Sequence, residues 1–311
     1  VTAAAAGRTD PDAREVVVLD GPPRLASLYA RAGLGAVPRP GRRAPADVVL
    51  PAVEHRCAGI RPDPERLTSY QHLVGEPAGD VLPAGYVHVL AFPVGIALLT
   101  RPGFPLPALG VVHLANRVEQ RRPLGLGDTL DVRAWTRDLR PHRRGAQLEL
   151  VTEVWRAGTA EHDGPAWRGV SSYLAPGVRL PGAGADPAQE QRPAFVPPVP
   201  TGRWSLGADE GRRYAAVSGD ANPIHLTPLT ARALGFPCAI AHGMDTAARA
   251  LAAVGARRGD RFDWDVEFAS PVLLPSAPAV QVRADADGWA VTVWDARRGR
   301  PHLTARVRPL G

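Results

Sequence analysis

Val87–Thr100 is almost wholly apolar, so a helix over these residues has no face to give to water and must be buried on all sides. The run Val87–Leu99 is too short to span a bilayer and carries His88 and Pro93, which leaves a protein core as its place. A second apolar helix is expected over Cys238–Val254. Each run precedes a series of strand-like segments: Val111–Gln120, Thr129–Thr136, Gln147–Trp155 and Gly169–Leu174 after the first, and Asp263–Ala269, Ala279–Ala284, Ala290–Asp295 and Leu303–Val307 after the second. Upstream, Glu15–Leu19 and Ala52–Ile60 read as strands and Arg24–Ala32 and Pro64–Val74 as helices, with a Pro/Arg/Gly loop over Pro38–Ala46. Asp209–Val217 reads as a helix. Arg137–Gly145 is expected to be a turn between strands.

The two series repeat in order. Tyr70 stands to Gly75-Glu76 as Tyr214 stands to Gly219-Asp220. Tyr86-Val-His88 opens the first apolar run as Ile240-Ala-His242 opens the second, and Val118-Glu119 with Pro123 has the internal spacing of Val266-Glu267 with Pro271. An internal duplication follows, with halves at 1–175 and 203–311 and a Pro/Gly-rich linker over 176–202. The halves differ chemically: at the offsets of Asp220 and His225 the first half has Glu76 and Val81, so only the second keeps an imidazole.

The net charge of +6 comes entirely from Arg, because the chain has no Lys. The Arg residues are scattered and no zinc-finger or aromatic-rich RNA-binding pattern occurs, which argues against nucleic acid as the partner. The exception is Arg137–Arg144, where Arg140, Arg143 and Arg144 form a basic cluster that reads either as a solvated hairpin turn or as a landing place for phosphates. Cys57 and Cys238 make no disulfide framework and fit a reducing compartment. Val1–Asp10 is Ala-rich without the basic region and apolar core of a signal peptide, so a cytoplasmic protein with no membrane span is expected.

The chemistry concentrates in Tyr214-Ala-Ala-Val-Ser-Gly-Asp-Ala-Asn-Pro-Ile-His225, followed by Ala241-His-Gly-Met244. Gly-Asp-x-Asn-Pro alone is a turn in which Asp and Asn bond their own backbone. With His225 five residues after Asp220, the stretch also offers a carboxylate and a neutral-range imidazole that can hold one water between them. Gly243 lies where the second apolar helix begins, and its N–H is suited to an oxyanion. Ser218 and Asn222 are expected to orient the loop or the water. His242 and Met244 are also expected to orient the loop or the substrate, His242 as a core or helix-start histidine satisfied by backbone, with Tyr214 as helix packing nearby. No P-loop or dinucleotide motif appears, and no metal or cofactor is called for.

These residues resemble the MaoC-like hydratase/dehydratase family, which includes (R)-specific enoyl-CoA hydratases. Its pattern is close to Tyr-x-x-x-Ser-Gly-Asp-x-Asn-Pro-(Ile/Leu)-His-x-Asp-Pro, then Gly-Phe and His-Gly-Met/Leu. Tyr214, Ser218, Gly219, Asp220, Asn222, Pro223, Ile224, His225, Pro228, Gly235, Phe236, His242, Gly243 and Met244 fit it, and Thr227 replaces the usual Asp. The match is close over about 203–275, and the first half resembles the degenerate partner of two-domain members. The resemblance implies an α+β double hot dog, with two antiparallel sheets each wrapped around a long apolar helix. It implies a hydro-lyase acting on acyl-CoA or acyl carrier protein thioesters, with Asp220 and His225 as the reacting pair. A hot-dog thioesterase and a non-catalytic acyl-thioester-binding subunit are the alternatives. The chain would act as a homodimer or as a monomer with internally paired halves.

Overall fold

The computed structural model describes residues 14–35, 48–107, 110–180 and 194–311. The first half runs β1 (Glu15–Leu19), α1 (Leu25–Gly35), β2 (Val53–Ile60), α2 (Pro64–Val74), α3 (Ala84–Leu99), β3 (Val112–Gln120), β4 (Leu130–His142), β5 (Gly145–Arg156) and β6 (Trp167–Pro176). The second runs β7 (Gly202–Arg203), α4 (Glu210–Ser218), α5 (Pro223–Leu226), α6 (Pro228–Ala233), α7 (Gly243–Val254), β8 (Phe262–Phe268), β9 (Ala279–Asp285), β10 (Gly288–Asp295) and β11 (Arg300–Pro309). Pro38–Ala46 and most of the expected linker lie outside the described residues. Among the described residues, no helix is long and apolar enough to cross a membrane.

The local physics of α2 shows how these elements are bounded. Asp63 caps its start by accepting from the Arg66 N–H at 2.7 Å, Pro64 fills the first turn, and Gly75 ends it at φ 79. In α3, every residue but Phe92 is buried, as its apolar sequence requires. It packs on β2, β4 and β5, while α7 packs on β8, β10 and β11. The fold is a double hot dog, but the two expected sheets are one. The eleven strands run in the order β1-β2-β4-β5-β6-β3-β8-β11-β10-β9-β7, because β3 and β8 hydrogen-bond edge to edge and neither half keeps a free edge there. One pair, β1 with β2, is parallel.

The β3–β8 register carries a symmetry. Arg117 lies opposite Asp265, and 148 residues separate them, the spacing that also separates Val118 from Val266. Val118 accordingly faces Trp264, and Asn116 faces Val266. This is the pairing that two copies of one unit make about a two-fold axis. The apolar core is shared: Tyr70, Tyr86 and Trp167 of the first half pack in one cluster with Tyr214, Met244, Ala248 and Trp264 of the second.

Two element boundaries depart from expectation. Helix α7 starts at Gly243, not Cys238, because Ala241 N–H donates to Val272 O and Leu274 N–H to Ala239 O, which holds 239–241 extended. His88 therefore sits inside α3 while His242 precedes α7, so the two are not equivalent at the helix starts. The turn expected over Arg137–Gly145 is narrower and lies at Arg143 and Arg144. Strand β4 continues to His142, and a bulge after Arg137, with Asp138 at φ 60, takes up the irregularity.

Candidate active site

Helix α4 ends at Gly219, whose φ of 76 turns the chain sharply. The Asp220 N–H then donates to Ser218 Oγ at 3.1 Å, and the Asn222 side chain accepts from the Ile224 N–H at 3.4 Å to start α5 behind Pro223. This single turn of helix delivers His225. Gly211 of α4 makes it possible, because a Cβ there would lie 1.9 Å from the His225 carbonyl oxygen. Thr227, the departure from the family pattern, acts locally, since its side chain accepts from the Thr230 N–H and caps α6.

Three titratable groups converge. Asp220, His225 and His242 offer ligand-type atoms that all lie within 4.8 Å of one another. Two imidazoles and a carboxylate suit a water, and they are also a donor set that a divalent metal can use. His225 Nδ1 donates to Ile240 O at 2.8 Å, since a carbonyl only accepts, so Nε2 carries the lone pair. Burial holds this imidazole neutral, with its pKa pushed down to about 3. His242 stacks on it at 3.6 Å between centroids and donates Nε2–H to the Asp220 carbonyl at 2.9 Å. Burial lowers His242 to about 4. His242 thus clamps the loop and floors the site, and its ring packs on Tyr214 at 4.8 Å.

The two oxygens of Asp220 are unequal. Oδ1 accepts from the Tyr29 hydroxyl at 3.0 Å and from the Asn222 N–H at 3.2 Å. Oδ2 has only His242 Nε2 nearby, at 3.8 Å. Burial raises the Asp220 pKa, and His225, Tyr29 and Asn222 oppose that rise. The unsaturated oxygen is therefore Oδ2.

Gly243 is the first residue of α7, and its N–H has no carbonyl one turn back to bond within the helix. A Cβ on Gly243 would lie 3.2 Å from the Phe268 ring, so the absence of a side chain keeps this helix end clear. Met244 does not orient the loop: its side chain points into the shared apolar core and is 7% exposed. Asp245, fully buried in the first turn of α7, is tied to Arg249 at 2.9 Å, and Arg249 also bonds Glu210. Burial pushes Asp245 up to about 7.

The first half completes the site with residues that no sequence pattern marked. Tyr29 comes from α1. Arg66 of α2 donates to the carbonyls of Val217 at 2.6 Å and Ser218 at 3.1 Å, closing the end of α4. Tyr173 of β6 is buried near Asp220, whose charge adds to the burial that raises its pKa. His113 of β3 stacks on Tyr173 at 4.7 Å and lies 5.0 Å from Phe268. Glu76, the carboxylate at the offset of Asp220, is spent in an ion pair with Arg258 at 2.8 Å.

Arg140, Arg143 and Arg144 are exposed on the β4–β5 hairpin and pair with no carboxylate among the described residues. Their hairpin closes at Gly145 opposite Pro176, three residues along β6 from Tyr173, so it stands at the same end of the sheet as the site. A surface depression of about 610 Å³, lined by Glu119, Arg121, Arg122 and Arg261, lies elsewhere and touches none of these groups.

Known proteins resemble this chain over most of its length. Residues 185–292 match the MaoC like domain. The chain is 38% identical over 248 residues to 3-hydroxyacyl-thioester dehydratase X of Mycobacterium tuberculosis, covering 80% of this chain and 86% of that protein. The crystal structure of that organism's HtdX superposes with a TM-score of 0.72 at 35% identity, over 83% of this chain and 100% of that one. A MaoC-like dehydratase from Phytophthora capsici shares the fold, with a TM-score of 0.64 at 21% identity over 85% of this chain and 97% of that one. The chain is an enzyme of the MaoC-like dehydratase family.

Proposed function

We propose that this enzyme catalyses the reversible addition of water to trans-2-enoyl thioesters, which in reverse is dehydration of (R)-3-hydroxyacyl thioesters. The observation that carries this reading is the convergence of Asp220 and His225, whose ligand-type atoms lie within 4.8 Å of one another. Asp220 Oδ2 and His225 Nε2 take no part in the hydrogen bonds that tie Oδ1 and Nδ1 to the fold, and His242 beside them leads into the N-terminus of α7. A water held between them is polarised for attack at Cβ. Its oxygen bonds to Cβ, one of its protons passes to the Asp220/His225 pair, and the pair returns a proton to Cα. The enzyme ends unchanged. Charge that builds on the thioester oxygen in between is met by the Gly243 N–H and the positive end of α7. Ser218, Asn222 and His242 hold the loop in that geometry.

We assign 1–175 to a degenerate N-terminal hot dog that walls the site, 176–202 to a linker and 203–311 to the catalytic hot dog. The substrate is an acyl-CoA or an acyl carrier protein thioester, with Arg140, Arg143 and Arg144 meeting its phosphates at the site's end of the sheet. Free Cys57 and Cys238 suit a reducing compartment, which supports a cytoplasmic location. The test is hydration of a ladder of trans-2-enoyl-CoA lengths by the purified chain, followed as loss of the conjugated thioester absorbance. Turnover of at least one length is expected. Release of free CoA from saturated acyl-CoA without any hydration would overturn the reading.

A further inference from the structure

The inner face of the first half carries a polar pair where the second half carries an apolar one. Asn116 of β3 opposes Ser171 of β6. The 148-residue spacing takes Asn116 to Trp264, and Trp264 opposes Val307 of β11. Trp264 and Val307 are fully buried; Asn116 and Ser171 are 1% and 5% exposed. A large indole and a valine in one copy thus stand against an amide and a hydroxyl in the other. Burying such groups costs free energy unless they are satisfied, and here they are satisfied only in part. Ser171 Oγ donates to Asn116 Oδ1 at 2.8 Å, which fixes the amide and leaves Nδ2 as a buried donor without a partner. Next along the face, His113 gives one ring nitrogen to the Ala115 backbone and keeps Nε2 buried without a partner. Its imidazole is neutral, so that nitrogen is an acceptor.

These atoms connect to the reaction centre. Phe268 packs against both Gly243 and His113, His113 stacks on Tyr173, and Ser171 and Asn116 follow two and three residues further along their strands. A chain laid past Gly243 would meet the rings of Phe268, His113 and Tyr173 first, and beyond them an acceptor and a donor. We propose that this face of the first half forms a pocket for an acyl chain bearing a hydroxyl group several carbons beyond the reacting double bond. A hydroxyl can accept from Asn116 Nδ2 or donate to His113 Nε2, whereas a keto oxygen can meet only Asn116 and a methylene meets neither.

The proposal rests on the acyl-thioester reading above, and its test separates the two. Trans-2-enoyl-CoA substrates of one length carry a methylene, a keto group or a hydroxyl at successive positions from C5 to C9, and kcat/KM is measured for each. At one position the hydroxylated chain is expected to be preferred over the plain chain by about tenfold or more. In Asn116→Leu that ratio falls to about one. Ser171→Ala, which frees the amide to rotate without changing its bulk, lowers the ratio in the same direction. Hydration with no preference at any position would remove the pocket and leave the reaction standing. So would a preference that Asn116→Leu retains. Calorimetry with Asp220→Asn gives the converse. Tighter binding of hydroxylated chains by a protein whose wild type hydrates nothing would keep the pocket and remove the reaction.

Discussion

Asp220 is made asymmetric by its neighbours. With two donors on Oδ1, Oδ2 is the oxygen left for the proposed proton chemistry, and Tyr29 supplies one of those donors from a helix nearly two hundred residues away. The groups facing Asp220 are Tyr29 on α1, Tyr173 on β6, Tyr214 on α4, His225 on α5 and His242 before α7, with Arg66 of α2 on the adjoining carbonyls. Tyr29 donation stabilises the ionised carboxylate, so its loss raises the Asp220 pKa further. In Tyr29→Phe the acid limb of the kcat/KM profile is therefore expected to move to higher pH, with kcat reduced about tenfold. An unshifted limb would show that the hydroxyl only fills space.

At the scale of elements, the site depends on how closely short pieces of chain approach one another. Gly211→Ala is expected to push α5 off α4, because its Cβ would overlap the His225 carbonyl. Hydration should fall about a hundredfold while the circular dichroism spectrum is retained; full activity would mean that the α4–α5 contact is free to relax. Arg66→Met should lower kcat and loosen the same loop, seen as faster amide exchange at 218–222, since two carbonyls lose their donor. The stretch Ser218–His225 reads as a turn in the sequence because Gly219, Asp220 and Asn222 act locally, and its Asp/His spacing with the likeness to a family pattern marks it as a site. Tyr29, Arg66, His113 and Tyr173 were not legible, because only the strand order brings them there. The expected start of α7 at Cys238 failed for a related reason. Small apolar residues 239–241 read as helix, yet their backbone is claimed by residues 272–274. The two sheets became one because edge pairing of β3 with β8 is a long-range choice, although β2, α2, β3 and β5 fell within a residue or two of where periodicity put them.

For the molecule as a whole, two halves joined edge to edge bury four histidines, two in each half. His88 and His242 are pushed down to about 4, and His113 and His225 to about 3, all by burial. Each is neutral in the fold but takes a proton near pH 6.5 when unfolded. Their contribution is therefore present above that pH and is lost as pH falls toward the folded values, at about 1.4 kcal/mol per histidine for each pH unit. Asp245 runs the other way, as do the raised carboxyls of Asp220, Glu153 and Asp263, since a raised pKa favours the fold at low pH; for Asp245 that contribution is lost as pH rises through about 7. His55 and His302 are lowered by burial as well, so six imidazoles set the sign, and the unfolding free energy from denaturant titration should drop between about pH 6.5 and about pH 5. A flat profile would mean that these imidazoles are accessible to protons in the fold.

The same join underlies the central claim, that one half carries the reaction and the other shapes its substrate. Crotonyl-CoA hydration by Asp220→Asn and His225→Ala, each checked for an unchanged melting temperature, tests it most directly. Turnover at least about a thousandfold below wild type in both variants is the predicted result. Near wild-type hydration in either one would contradict it.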